Sequence, residues 1–256
     1  MGDLRYCFER QHVERTLGLT KAKGLAVVDL EGVTNDAVRK ALGRNIYIYA
    51  YLNIGALEKG RPYYKQFENI RLAGYDGWPG EFWIDPTSKA WRSHLIETAA
   101  ALQKRGPIGL YADNFDIYYM AKEGFEEEKT RMIRKAPASG LIYEALAETV
   151  CKISKTGMIV MPNGGDTFVR RFVRENPGII KTVNQEGVLY QDKRRQPKDE
   201  TKYYTEYLDW CKHQGMYIRG IEYPKNKVQA LNAKAYYKKH GWQGIYISYH
   251  KDLRGD

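Results

Sequence analysis

The chain has 256 residues, 43% of them apolar, which is enough for one sizeable core, and α/β barrels use about 250 residues as one domain. No run of roughly 18 apolar residues occurs, so no membrane-spanning helix is expected, and Met1-Gly2-Asp3-Leu4-Arg5-Tyr6 lacks the apolar segment of a secretory leader. A balance of 41 Lys and Arg against 31 Asp and Glu gives +10 at pH 7, which suits an anionic polymer, an acidic surface or simply a solvated basic exterior.

Short apolar runs rich in Val, Ile and Tyr recur along the chain. They predict strands at Leu4–Phe8, Leu25–Asp29, Ile46–Leu52, Ile108–Ala112, Met158–Met161, Ile180–Val183, Met216–Gly220 and Gly244–Ile247. Helical periodicity separates several of them, over Trp91–Lys104, Gly140–Lys155, Asp166–Glu175, Lys202–Gln214 and Val228–His240. Gly215 and Gly241 follow basic final turns and read as helix stops, and Gly106-Pro107 breaks the chain before Ile108. Strands alternating with helices imply a parallel sheet, and eight such units close into a (β/α)₈ TIM barrel; a doubly wound open sheet is the rival. The excursion from Asn53 to Thr87, rich in Tyr, Trp, Gly and Pro, is long enough to be functional. No repeat or composition break marks a second domain, so one domain over residues 1–256 is expected.

Several chemistries find no support. Cys7, Cys151 and Cys211 are odd in number and widely spaced, and read as small buried hydrophobes rather than a disulfide framework or zinc site. His12, His94, His213, His240 and His250 form no His-x-x-x-His pair, and neither a dinucleotide fingerprint, a P-loop nor a Gly-x-Ser-x-Gly elbow is present. No metal and no cofactor are therefore expected. Two charged stretches, Lys122–Lys135 and Asp192–Lys202, lack the interleaved aromatics of a single-strand groove, so nucleic acid is not expected as a partner.

In a parallel barrel the active residues stand at the C-terminal ends of the strands. Those positions hold Asp29 and Glu31, Tyr51 and Asn53, then Asp113-Asn114-Phe115-Asp116, then Asn163-Gly164-Gly165, then Asn184-Gln185-Glu186, Glu222-Tyr223 and Ser248-Tyr249. A ring of carboxylates, amides and tyrosines suits a sugar, because the polar groups bond hydroxyls and the rings stack on pyranose faces. Glycoside hydrolysis needs two carboxyl groups across the scissile bond, an acid and a nucleophile or base. Asp113 and Glu186 follow strands four and six and can face each other across the mouth. Each such carboxylate can equally cap a helix or pair with a Lys.

The ordered motifs resemble the endo-α-1,4-polygalactosaminidases, glycoside hydrolase family 114. They are Tyr49-Ala50-Tyr51-Leu52-Asn53-Ile54-Gly55 with Arg61-Pro62-Tyr63-Tyr64, Gly80-Glu81-Phe82-Trp83-Ile84-Asp85, Asp113-Asn114-Phe115-Asp116-Ile117-Tyr118, Pro162-Asn163-Gly164-Gly165, and Gln185-Glu186-Gly187-Val188-Leu189-Tyr190. The resemblance implies a (β/α)₈ barrel with Asp113 as nucleophile and Glu186 as general acid/base, with Asp116 as the alternative catalytic Asp. It further implies that Asp29, Tyr51, Asn53, Arg61, Glu81, Trp83, Asn114, Asp116, Tyr118, Asn163, Gln185, Tyr190, Glu222 and Tyr249 bind substrate. The partner would be a polysaccharide, and the setting secreted or cell-surface. Asn53 stands where the family more often has Ser. A deacetylated galactosamine polymer is cationic, so a chain of +10 needs a locally acidic cleft to receive it. A non-catalytic carbohydrate-binding barrel is the second reading, and a nucleic-acid or phosphate-ligand protein suggested by charge alone the third. Oligomeric state is left open.

Overall fold

The computed structural model describes residues 3–124, 132–250 and 253, so the charged stretch Lys122–Lys135 lies partly outside the described residues. Eight parallel strands alternate with helices. They are β1 (Leu4–Cys7), β2 (Leu25–Val28), β3 (Tyr47–Asn53), β4 (Gly109–Asp113), β5 (Ile159–Pro162), β6 (Thr182–Glu186), β7 (Tyr217–Glu222) and β8 (Gly244–Ile247). The crossovers run through α1 (Arg10–Leu19), α2 (Asn35–Gly43), α3 (Lys89–Arg105), α4 (Ser139–Lys155), α5 (Asp166–Glu175), α6 (Lys198–His213) and α7 (Lys227–His240). Hydrogen-bonded ladders join β1 through β5 and β6 through β8. A parallel bridge between Asn163 and Asn184 connects the two sets, and β8 lies beside β1, which closes the barrel. The expected fold is the observed one. No helix among the described residues is long and apolar enough to cross a membrane.

Local chemistry sets the element ends. Thr34, Ser88 and Asn226 cap α2, α3 and α7 by accepting the backbone N–H of Ala37, Trp91 and Gln229. The left-handed Gly241 ends α7 after Lys238-Lys239-His240, as read from the sequence. Helices α1 and α2 had no counterpart in the sequence reading, because each is short and carries a narrow buried stripe. Several strands end one to three residues later than the apolar runs. Asn53, Asp113, Glu186 and Glu222 are polar yet still in the ladder, so hydrophobicity alone stops too early.

Alternation divides each strand between two cores. Inward residues, among them Tyr6, Tyr49, Tyr111, Met161, Ile221, Tyr223 and Tyr246, fill the barrel interior. Outward residues such as Val28, Leu110, Val160 and Ile218 pack beneath the helices. Past β3 the chain forms a three-stranded antiparallel sheet, with Glu81–Ile84 between Ala56–Glu58 and Arg71–Gly74. Trp91, fully buried on α3, donates its indole N–H to the carbonyl of Ile54 at 3.0 Å and ties this excursion to the barrel.

The turn after β5 is built on glycine. Gly164 and Gly165 both sit at positive φ, and a Cβ on Gly165 would lie 2.4 Å from the Cβ of Phe115. Gly165→Ala should therefore destabilise the fold by about 1–3 kcal/mol, through left-handed strain and overpacking. Urea unfolding checks this, and an unchanged midpoint would contradict it.

Candidate active site

The C-terminal ends of the strands open into a cleft of about 1560 Å³. The inward parity of β4 and β6 aims Asp113 and Glu186 into it, and both side chains keep partial solvent access. One amide joins them. Asn163 Nδ2 donates to Oδ1 of Asp113 at 3.0 Å and to Oε1 of Glu186 at 2.8 Å. Those two legs cap the separation of the bonded oxygens at their sum, about 5.8 Å. Asn163 is itself oriented by Asn184 Nδ2, which donates to its Oδ1 at 2.8 Å, while Tyr6 donates to Asn184 Oδ1 at 2.7 Å. A chain of interior amides and phenols thus reaches from the barrel axis to the pair.

Glu186 accepts two further bonds, from Tyr111 at 3.0 Å on Oε1 and from Tyr223 at 2.5 Å on Oε2. Burial and the charge of Glu186 hold both phenols far above their ordinary pKa, so they stay protonated as donors. Asp113 accepts the backbone N–H of Asn114 at 3.0 Å. Burial first, and the charge of Glu186 next, push its carboxyl well above the usual carboxylate range. Asn114 takes the left-handed conformation that Asn tolerates better than most residues, with φ 67°. Its Nδ2 reaches Oδ1 of Asn53 and Oε1 of Glu81, both at 3.0 Å.

Glu81, from the antiparallel excursion, also accepts from Asn53 Nδ2 at 2.8 Å. Burial and the neighbouring charge of Glu58 raise it to about 7. Asp116 accepts the N–H of Gly165 at 3.2 Å, and burial together with Asp166 raises it to about 6. Arg61 lines the cleft with its guanidinium committed to Asp29 at 2.7 Å, Glu31 at 2.9 Å and Glu58 at 2.7 Å. Tyr51 donates to Glu58 at 3.0 Å beneath that cluster. Among the described residues the cleft wall carries ten acidic side chains and three basic ones, Arg10, Lys59 and Arg61.

Of the residues expected to bind substrate, Asp29, Tyr51, Arg61, Glu81, Asn114, Asp116, Asn163 and Gln185 line this cleft. Asn53 lies just behind the wall, holding Glu81 and Asn114. Four others are corrected by burial. Trp83 stacks under Tyr75 at 4.3 Å, and Tyr118 points outward so that its hydroxyl accepts from Arg171. Tyr190 is buried with its hydroxyl accepting from Arg195, and Glu222 is fully buried on the outward face of β7. Glu222 accepts the N–H groups of Leu189 and Tyr190 and the Tyr237 hydroxyl, a structural role in holding the segment after β6. Tyr249 is exposed on the surface beyond the cleft wall. The sequence reading missed Tyr75 and Tyr111, and it placed Tyr223 at the end of a strand without counting it among the substrate-binding residues. Strand parity was the usable signal, since Tyr111 stands two residues before Asp113 on the same face.

Glu81 and Asp116, together with Glu222, which burial raises to about 7, bind protons more tightly in the folded chain than in an unfolded one. The stability linked to them is present below their ordinary values and lost as pH rises through the raised ones. The melting temperature should therefore fall between about pH 5 and pH 8 through these groups, and Glu81→Gln should flatten part of that slope. Identical slopes for the variant and the parent protein would contradict the assignment.

Solved structures similar to this one include glycoside hydrolases. The glycoside hydrolase domain of PelA from Pseudomonas aeruginosa matches with TM-score 0.78 and 20% identity, covering 99% of this chain and 97% of that one. Ega3 of Aspergillus fumigatus, solved in complex with galactosamine, matches with TM-score 0.72 and 14% identity, covering 98% and 91%. An uncharacterized protein of Thermotoga maritima is 25% identical over 182 residues, 68% of this chain, and the chain matches about half of that relative's length, 54%. Residues 8–254 match the model of glycoside-hydrolase family GH114, and the chain belongs to that family.

Proposed function

We propose that the protein is an endo-acting hydrolase of an α-1,4-linked, galactosamine-containing polysaccharide, working by retention, with Asp113 as nucleophile and Glu186 as general acid/base. The observation that carries this reading is the Asn163 amide shared by the two carboxylates. Its two hydrogen bonds, 3.0 and 2.8 Å long, keep the bonded oxygens within about 5.8 Å of each other. Retaining glycosidases hold their carboxyl groups about 5–5.5 Å apart, whereas inverting ones need about 6.5–9.5 Å to admit a water. Asp116 is bound to the turn at Gly165 and lies outside this bridge, which favours Asp113 over Asp116 as the nucleophile.

Charge favours an amino sugar. The chain carries +10, yet acids outnumber bases ten to three along the cleft wall, so a cationic polymer meets attraction where it must bind. That attraction also answers a requirement of the chemistry. Burial and the charge of Glu186 favour a proton on Asp113, while a nucleophile must be ionised. An ammonium at C2 of the sugar, one carbon from the atom that Asp113 attacks, offsets the like-charge repulsion. Asp113 then ionises and can attack C1, while Glu186 faces the leaving oxygen. Glu81, held on Oε1 by two amides, offers its second oxygen to the same ammonium. The family resemblance supports a secreted or cell-surface setting.

Glu186→Gln and Asp113→Asn should each lower turnover of a deacetylated galactosamine polymer by roughly 10²–10⁴ while leaving binding within a few-fold. Product sizing on that polymer, its acetylated form and neutral glycans checks both the chemistry and the substrate. Cleavage of neutral glycans alone would remove the amino-sugar assignment. Binding without cleavage by the unmodified protein would leave a carbohydrate-binding barrel.

A further inference from the structure

The two oxygens of Glu186 are not equivalent. Oε1 accepts from both Tyr111 and Asn163, which occupies its two lone-pair directions. Among the described residues Oε2 accepts from Tyr223 alone, which leaves its other lone-pair direction facing the cleft. Tyr223 lines the cleft at the end of β7, with its ring packed into the barrel interior and its hydroxyl turned to Glu186. Its neighbour Glu222 points the opposite way and ties down the segment that follows Glu186. The end of one strand therefore fixes both the backbone after the acid and one of its oxygens.

We infer that Oε2 is the oxygen of Glu186 that gives and retakes the proton, and that Tyr223 is the positioning residue that holds it and eases the proton's release. The inference rests on the two-carboxylate reading. In the first step Oε2 passes its proton to the glycosidic oxygen as the C1–O bond breaks, and Asp113 forms a bond to C1. In the second, water attacks C1, its proton goes to Oε2, and the Asp113 carboxylate leaves. Each step places a full charge on Glu186 either before or after the transfer, and the Tyr223 hydrogen bond strengthens whenever that charge is present. Tyr111 and Asn163 stabilise the same charge but occupy the oxygen that does not exchange. The Tyr223 hydroxyl is already committed to Oε2, so its loss is expected to act on turnover rather than on affinity.

The test is the pH dependence of turnover on the polymer that the unmodified protein cleaves. Removing a donor to the charged form makes the acid hold its proton longer. Tyr223→Phe should therefore move the alkaline limb of kcat upward by roughly one pH unit and lower kcat about tenfold, with KM unchanged. A fluorinated tyrosine at position 223, isosteric and with a more acidic hydroxyl, should move the limb the other way, and it decides the matter alone if the Phe variant fails to fold. An alkaline limb that stays in place in both proteins, or a change confined to KM, would overturn the role of Tyr223 and leave the hydrolase reading standing. An unmodified protein that cleaves no polysaccharide would overturn both.

Discussion

A single side-chain amide governs the geometry of this cleft. Asn163 bridges Asp113 and Glu186, and with them it fastens the seam between β5 and β6, where one backbone bridge joins the two hydrogen-bonded sets of strands. Two like-charged carboxyl groups this close repel, and without a shared donor one side chain would rotate away. The amide offsets part of that repulsion and fixes the spacing. The amide is held in turn by Asn184, and Asn184 by Tyr6, so a chain of polar side chains runs from the barrel interior to the pair.

The cleft sits in a chain whose overall charge has the opposite sign. Its acids are kept from self-repulsion in two ways. At one end Arg61, itself buried, pairs with Asp29, Glu31 and Glu58, and Arg10 pairs with Asp29 and Glu31 as well, which offsets part of their charge. Elsewhere the carboxyls rise toward neutral pH, as at Glu81 and Asp116, and carry less charge until a cation arrives. A site arranged this way is destabilised when empty at alkaline pH and relieved by a positively charged ligand, a common exchange of stability for function.

The barrel was legible because its outward residues are apolar and its helices carry clear stops. The pair at 113 and 186 was legible because strand order brings the ends of β4 and β6 to one mouth. What escaped was the face each residue takes. Glu222 and Tyr223 are adjacent, and hydrophobicity marks the wrong one as the site residue. The glutamate turns outward into a buried socket of backbone N–H groups, while the tyrosine turns inward to Glu186. Trp83 and Tyr190 escaped for a related reason, since an aromatic residue near a cleft is as useful beneath its wall as on it. Tyr111 was hidden by composition, because a tyrosine inside an apolar run is indistinguishable from core until its hydroxyl has a partner.

The central claim is that one amide sets the two carboxyl groups at the spacing of a double displacement. Proton NMR of the first-formed reducing end, recorded before mutarotation, tests it most directly. Cleavage of an α-linked polymer should release the α-anomer first, because two inversions at C1 restore the original configuration. Initial release of the β-anomer would mean a single displacement by water, and the spacing read from Asn163 would then not be the spacing at which the reaction occurs.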